Sequence, residues 1–240
     1  MNLLEFIKTL EGFEKHVFTV NDVAKILGAD KDYARLYLHR LKEKGVMEAV
    51  ERNKYAFADK HPYVIATNLV FPSYMSFLTA LHYYGATTQI PGTIYIAATR
   101  SKKSLAIRGY SVEFVKLKKE RFFGYTREKF QDKFIFVAEK EKLIIDALFL
   151  PRYCPIDETF KIMEDKEVNI DTLIEYGLRM ESIVTLKRLG VLLELKGIDI
   201  YDRLKYMLNR KYDLLNPFLP KKGDKNSKWR IILNEVPDAE

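Results

Sequence analysis

The first sixty residues contain three helical patterns in succession. Apolar side chains recur near the start at the spacing of one helix face, which predicts a helix over residues 2–12. That face consists of Leu3, Phe6, Ile7 and Leu10. Thr19 and Asp30 are residue types that favour the N-cap position. They predict a second helix that ends at Gly28 and a third helix over residues 31–44.

Two short runs of alternating apolar and polar residues follow the third helix. These runs, Val46–Val50 and Lys54–Ala58, predict a β-hairpin. Asn53 lies in the connecting turn and tolerates the positive φ that a tight hairpin turn requires. A helix-turn-helix followed by a hairpin is typical of a winged helix-turn-helix domain. The second helix of such a motif has the size to enter the major groove of DNA.

The third predicted helix has two different faces. Ala34, Leu38 and Leu41 recur at the spacing of a buried stripe, whereas basic side chains recur on the opposite face. Arginine can bond guanine edges, and lysine or histidine can reach phosphates. The predicted DNA-binding residues are Lys31, Asp32, Tyr33, Arg35, His39, Arg40, Lys42, Arg52, Asn53 and Lys54. The alternative is a winged helix that docks on a protein and has a solvated charged face.

The remainder of the chain predicts two further regions. Pro62 marks the boundary, because it breaks the preceding strand. Residues 61–151 predict a small α/β unit, in which Ser73 caps a helix over 73–84 and a second helix spans Glu139–Leu150. The predicted strands are Thr93–Ala98, Val112–Lys116 and Phe134–Ala138.

Residues 152–240 predict a mostly helical region that packs with 61–151 as one domain. The helical pattern runs through 157–211, and a closing strand is expected around Trp229–Leu233. The predicted N-caps are Asp157, Asp171, Ser182 and Asp199. The predicted fold class is therefore α+β, with an N-terminal winged helix-turn-helix over 1–60, a small α/β unit and a helical C-terminal region.

The net charge of +7 is concentrated in the middle of the chain. Residues 1–60 carry a net charge of +1, residues 61–150 carry +6, and residues 151–240 are neutral. A positive field attracts nucleic acid or an acidic partner. The candidate DNA-backbone or partner patch contains Arg100, Lys102, Lys103, Lys116, Lys118, Lys119 and Arg121. The alternative is a set of solvated loop lysines.

Catalytic chemistry has little support in this sequence. The scattered histidines and one cysteine predict no metal site, and we predict no catalytic residue and no cofactor. Glu113 is the nearest candidate for a nuclease-type site, but Lys116 is three residues away and belongs to the other strand face. His82 and Cys154 are interpreted as packing residues. A solvated, charged helix start is expected from Glu139, Lys140, Glu141, Lys142 and Asp146.

Cellular location is indicated by cysteine usage and hydropathy. One cysteine allows no internal disulfide and favours a reducing compartment. The longest apolar runs are too short to span a membrane, and the first residues lack a signal-peptide pattern. We therefore expect a cytoplasmic protein without a membrane partner.

Several short motifs occur in a fixed order along the chain after the predicted winged helix-turn-helix. The first is the pattern Ser-x-x-x-Ala-Leu-x-x-x-Gly over 76–85, and the second is Ala-x-x-Glu-Lys-x-x-x-Asp over 138–146. Additional segments are Tyr63–Ala66, Gln89–Pro91, Ile94–Ala97, Asn216-Pro217, Trp229 and Asn234. Together these segments resemble the AbiEi family of antitoxins from abortive-infection systems, which are also described as transcriptional regulators of viral defence. The resemblance covers nearly the whole chain.

The resemblance implies a repressor that binds inverted repeats at its own promoter and opposes a nucleotidyltransferase toxin, by direct contact or by another route. Two alternatives remain open. One is a plain winged-helix transcriptional regulator whose C-terminal domain senses a ligand or partner, without a toxin. The other is a DNA-guided enzyme such as a nuclease, with a site in residues 63–150.

Overall fold

The computed structural model describes residues 2–235 and Pro237. These residues form a mixed structure of helices and sheets, which confirms the predicted α+β class. Two compact units are present. Among the described residues, the first unit contains 2–74, 92–116 and 127–136, and the second contains 75–91, 117–126, 137–235 and Pro237.

The first unit begins with three helices and a three-stranded sheet. Their bounds are α1 (Leu3–Glu11), β1 (Val17–Thr19), α2 (Val20–Leu27), α3 (Lys31–Glu43), β2 (Met47–Glu51) and β3 (Lys54–Phe57). The strand order is β1-β3-β2, and both pairings are antiparallel. The helices and strands expected from the sequence are therefore confirmed, with ends that differ by one or two residues.

Local sequence explains where these helices begin and end. Thr19 and Asp22 form a capping box at the start of α2, since the Thr19 hydroxyl accepts from the Asp22 backbone N–H and the Asp22 carboxylate accepts from that of Thr19. Gly28 ends α2 in the left-handed region, with φ of 64°. The apolar faces then meet in one core. Its fully or nearly fully buried members include Phe6, Leu10, Phe18, Val23, Ala34, Leu38, Leu41 and Met47.

A six-stranded sheet has the order β6-β7-β5-β4-β9-β8, and most of its residues belong to the first unit. Strand β5 runs parallel to β7, while β6 pairs antiparallel with β7. A short helix, α4 (Pro62–Thr67), precedes the sheet. The strands are β4 (Ser73–Met75), β5 (Thr93–Ala98), β6 (Leu105–Ile107), β7 (Tyr110–Lys116), β8 (Tyr125–Phe130) and β9 (Lys133–Ala138).

The second unit is mainly helical. Its helices are α5 (Phe77–Tyr83), α6 (Lys140–Phe149), α7 (Ile156–Ile162), α8 (Ile170–Arg179), α9 (Ile183–Leu195) and α10 (Tyr201–Leu204). A small sheet in the order β10-β12-β11 closes the chain. Its strands are β10 (Asp213–Leu214), β11 (Asp224–Asn226) and β12 (Ile231–Leu233). No helix among the described residues is long and apolar enough to cross a lipid bilayer.

The prediction that Ser73 caps a helix is wrong. Ser73 opens β4, and α5 begins at Phe77 with Ser76 at its N-cap position. The Ser73 hydroxyl donates instead to the carbonyl oxygens of Thr67 and Val70, at 3.0 and 2.7 Å. A serine that bonds back to the preceding turn leaves the chain extended at this point, so that Met75 can pair with β9.

Some predicted boundaries in the C-terminal region are also wrong. Ser182 occupies the N-cap position of α9, as expected. Asp157 and Asp171 instead lie in the first turns of α7 and α8, where the helix dipole favours a carboxylate. Asp199 precedes the cap residue of α10 and accepts from the backbone N–H of Tyr201 at 2.9 Å. Residues after 207 leave the helical pattern, because Asp213 pairs with β12.

Candidate nucleic-acid interface

Asp30 fixes the start of α3. Its carboxylate accepts hydrogen bonds from the backbone N–H groups of Asp32 and Tyr33, at 2.9 and 2.8 Å. These bonds satisfy backbone donors that a helix start would otherwise leave without a partner. Lys31 and the residues that follow it are consequently held on the first turn, where Lys31, Asp32 and Tyr33 are all exposed.

The rest of α3 separates into a buried face and an exposed one. Ala34, Leu38 and Leu41 are almost completely buried, as the apolar spacing predicts. The predicted DNA-contacting residues of this helix are all exposed to solvent; they are Lys31, Asp32, Tyr33, Arg35, His39, Arg40 and Lys42. The helix therefore presents basic side chains to solvent along its whole length.

The tip of the β2–β3 hairpin lies beside the start of α2. Asn53 adopts a φ of 60°, which confirms the predicted left-handed turn residue. Its carbonyl oxygen accepts from the backbone N–H of Val20 at 3.2 Å. This bond fixes the hairpin tip against the helical part of the unit, and Arg52 and Asn53 remain exposed.

A cavity of about 270 Å³ lies where the hairpin tip meets the helix starts. It is lined by Thr19, Val20, Asn21, Lys31, Arg35, Arg52, Asn53 and Lys54. Four of these side chains are cationic and none is a carboxylate. The cavity thus brings together five of the ten predicted DNA-binding residues, from two elements that are separate in the sequence. A concave surface of this charge attracts an anion such as a phosphate.

The partners of these cations determine how freely they can bind a ligand. Arg35 forms an ion pair with Asp32 at 2.5 Å, and both side chains are largely exposed. Such a surface pair contributes little energy, so the guanidinium can exchange its partner readily. Lys54 lies 3.1 Å from a Glu51 carboxylate oxygen and donates to the Leu69 carbonyl at 3.4 Å. Lys54 is therefore the more constrained of the two.

The other five predicted DNA-binding residues do not line this cavity; they are Asp32, Tyr33, His39, Arg40 and Lys42. His39, Arg40 and Lys42 are exposed farther along α3. The Tyr33 ring is tilted by 31° relative to the Tyr37 ring, and the two centroids lie 6.2 Å apart. Asn21 also lines the cavity from the exposed start of α2, although it is not among the residues predicted from the sequence. Its position one residue after the start of a capped helix was the available signal.

The basic patch predicted from the middle segment divides between the two units. Arg100, Lys102, Lys103 and Lys116 belong to the first unit, and the remaining residues, Lys118, Lys119 and Arg121, belong to the second. Lys102 pairs with Glu51 at 2.5 Å. The Arg100 guanidinium donates to the Phe71 carbonyl at 2.7 Å.

Within the second unit, Arg121 already has protein partners. It donates to the Met180 carbonyl at 2.7 Å and lies over the Phe149 ring at 4.7 Å. Lys118 and Lys119 are exposed.

Two acidic residues of the hairpin have basic partners that sequence reasoning missed. Glu48 accepts from the Arg108 guanidinium in a bidentate arrangement, at 2.6 and 3.1 Å. Glu51 accepts from Lys102. No local pattern identifies these pairs, because the partners lie 60 and 51 residues apart in the chain.

The residues considered for catalytic chemistry are buried or half-buried. Cys154 is completely buried, as predicted, and burial raises the pKa of its thiol to about 12. Glu113 is half-buried on β7, opposite Tyr95, and His82 is half-buried on α5. Among residues 2–235 and Pro237, no group of three metal-ligating side chains lies close enough to hold an ion.

The prediction of a solvated, charged start of α6 is wrong for Lys142 and Asp146. Both side chains are completely buried, form an ion pair one helical turn apart, and have further support from Ser76, whose hydroxyl donates to Asp146 at 2.9 Å. The apolar residues that surround them along α6 indicate why, since this helix is packed on nearly all sides. Glu139, Lys140 and Glu141 are half-buried at its beginning.

Comparisons with known proteins provide a fold relationship. A scan against protein-family models finds no match, and a search of curated proteins finds none either. Among solved structures, the chain is similar to the Rv2827c protein from Mycobacterium tuberculosis, known from a crystal structure, with a TM-score of 0.61 and 15% sequence identity. The match covers 94% of this chain and 89% of that protein. This similarity shows a shared α+β fold.

Proposed function

We propose that residues 2–58 form a winged helix-turn-helix that binds double-stranded DNA. In this proposal α2 and α3 are the helix-turn-helix, α3 is the recognition helix and the β2–β3 hairpin is the wing. The main support for this proposal is the cavity that is lined by Lys31 and Arg35 of α3 and by Arg52 and Lys54 of the hairpin. Phosphate contacts from such a cationic surface would position α3 over the major groove.

The charge of this surface favours DNA over a protein partner. A protein-docking face generally has an apolar centre, whereas the cavity lining contains four cations without a carboxylate. Arg35 is the best candidate for base contact, because it is exposed on the first turns of α3 and has only a surface partner. Arginine commonly bonds guanine O6 and N7 in a bidentate arrangement.

A binding titration tests the proposal. DNA from upstream of the chain's own gene is compared with a scrambled duplex at two salt concentrations, using the full chain. We expect selective binding, and Arg35→Ala should lose roughly 1–3 kcal/mol of discrimination. Arg210→Ala, a change of an exposed arginine in the second unit, is the matched control and should have no effect. Equal weak binding of both duplexes by the unaltered protein would refute DNA recognition.

We further propose that the chain is a transcriptional repressor and antitoxin, which autoregulates its operon at inverted repeats. The order of the AbiEi-like motifs supports this role, with a nucleotidyltransferase toxin as the target. Co-expression provides the test. A neighbouring nucleotidyltransferase gene should arrest growth alone, and this chain should relieve the arrest. Selective operator binding without relief, or the absence of such a gene, would favour the plain winged-helix regulator.

A further inference from the structure

A loop from the six-stranded sheet lies against the wing. The loop covers residues 99–104 and connects β5 with β6. Its Lys102 ammonium lies 2.5 Å from one carboxylate oxygen of Glu51, at the end of β2, and the Lys102 side chain is only 13% exposed. Lys54 approaches the other Glu51 oxygen at 3.1 Å. Glu51 therefore lies between two cations, one from the wing and one from the loop.

Two further contacts fix the position of the loop. At its start, Arg100 donates to the Phe71 carbonyl. Beyond its end, Arg108 in the β6–β7 turn donates to Glu48 of β2, and to the Lys60 carbonyl at 2.6 Å. The loop is thus anchored on both sides within the first unit, and its position relative to the hairpin tip is determined by side-chain bonds.

These contacts change the charge at the wing tip. A lone carboxylate at Glu51 would repel a DNA phosphate near Arg52. Burial acts to raise the pKa of Glu51, but the bonds from Lys102 and Lys54 lower it below its ordinary value, so the carboxylate stays ionised with two cationic partners. Lys54 and Lys102 contact Glu51 directly, and the hairpin tip and the loop contribute three more cations, Arg52, Arg100 and Lys103. The joint surface of tip and loop is therefore strongly positive despite Glu51.

Two cations of the loop remain available to a ligand. Lys103 is exposed and makes no hydrogen bond or ion pair with a described residue. Arg100 is also exposed and uses one terminal nitrogen for the Phe71 carbonyl. Arg100 and Lys103 lie on either side of Ser101 and Lys102 in the chain. The contact of Lys102 with Glu51 therefore also holds these two residues near the wing.

We propose that loop 99–104 is a second DNA-contacting element, in which Arg100 and Lys103 bind backbone phosphates next to those reached by the wing. Lys102 is a positioning residue, because it holds the loop on the wing and neutralises Glu51. This inference rests on the proposed DNA-binding function. It restricts the predicted DNA contacts of the basic middle segment to the loop that adjoins the wing.

The first test measures salt dependence on the operator duplex and on a scrambled duplex. Neutralising one phosphate contributes about 0.9 to the slope of log affinity against log salt. Arg100→Ala with Lys103→Ala should therefore reduce the slope by about 1.8 and preserve the preference for the operator. Lys103→Ala alone, which removes no internal bond, should reduce it by about 0.9. Lys129→Ala on β8, at the opposite sheet edge from β6, is the control and should leave the slope unchanged.

The second test addresses Lys102. Lys102→Ala should weaken binding to both duplexes roughly 3–10-fold, since Glu51 loses one of its two cations. Glu51→Gln in the same background should recover most of that loss, because it removes the repelling charge. A merely structural role for Lys102 would show no such recovery.

The outcomes separate the two proposals. Unchanged slopes for the Lys103 and double variants, together with operator binding that still depends on Arg35, would overturn the loop inference and leave DNA recognition intact. Absence of selective binding by the unaltered protein would overturn both. Slopes that fall equally with Lys129→Ala would also contradict a specific role for the loop.

Discussion

Lys142 and Asp146 form a buried ion pair on α6 whose charges lie entirely inside the second unit. The Lys142 ammonium also lies 4.6 Å from the centre of the Phe123 ring and 3.6 Å from the Met180 sulfur. Burial lowers the pKa of Lys142, and the attraction of Asp146 opposes that effect. Two buried charges are tolerated together because each provides the other with a partner.

Removal of one partner should be strongly destabilising. We expect Asp146→Ala to lower the free energy of unfolding by about 3–5 kcal/mol, since it deprives the buried Lys142 of its carboxylate. The urea midpoint, followed by circular dichroism, measures the change. In the double variant Lys142→Met with Asp146→Asn the charges are gone and an acceptor for Ser76 remains, so the loss should be much smaller. A double variant as unstable as Asp146→Ala would contradict this explanation.

At the scale of elements, α9 packs against Trp229, which lies two residues before the closing strand β12. A Cβ atom on Gly190 would lie 2.2 Å from Cζ3 of Trp229, a distance that no real contact shows. The Trp229 ring is completely buried, its indole N–H donates to Glu194, and its centroid lies 5.3 Å from that of Tyr201. Glycine is therefore required here by the close approach of a ring.

We expect Gly190→Ala to destabilise the protein by roughly 1–3 kcal/mol. On an exposed helix the same change would stabilise by about 1 kcal/mol, because alanine has the higher helix propensity. The sign of the change thus distinguishes packing from propensity. In the background of Trp229→Leu the penalty should shrink, and urea unfolding of the four proteins of this cycle provides the measurement. A penalty of equal size in both backgrounds would exclude the ring as its cause.

Helix ends show how far sequence describes an element. Thr19 and Asp30 cap α2 and α3 as predicted, because a cap bond involves residues within three positions of each other. The prediction at Ser73 is wrong because the structure there depends on residues that are distant in the sequence. Its hydroxyl bonds to carbonyls of the preceding turn, and β4 forms because it pairs with neighbouring strands, with Met75 opposite Val137 of β9. Strand pairing of this kind leaves little mark on a three-residue segment.

At the scale of the whole molecule, His16 illustrates an environment assembled from distant segments of the first unit. It is 6% exposed, and its backbone N–H donates to the Asn68 side chain at 3.4 Å. Burial lowers the pKa of His16 from 6.5 to about 4, with help from Lys133 and Lys60 and opposition from Glu14. No local stretch of sequence contains this set of groups.

The lowered pKa predicts a loss of stability in acid. Well above pH 6.5 His16 is neutral in both the folded and the unfolded chain, and it contributes no pH dependence. Between pH 6.5 and 4 the unfolded chain binds the proton first, so stability should fall by roughly 2–3 kcal/mol on acidification. His16→Gln should remove this component, as measured by urea unfolding at pH 7, 5.5 and 4.5. An identical pH profile for both proteins would contradict the prediction.

The sequence by itself determined the α+β class, the main helices of the first sixty residues, their caps, and the left-handed hairpin turn at Asn53. These features depend on interactions between near neighbours, which a linear pattern records. Only the tertiary structure decided which cations remain available. Lys102, Arg108 and Arg121 contribute, like Lys103, to the positive charge of residues 61–150. Unlike Lys103, they have partners from distant segments of the chain. Charge is a property of each residue, whereas neutralisation and burial depend on what the folded chain places beside it.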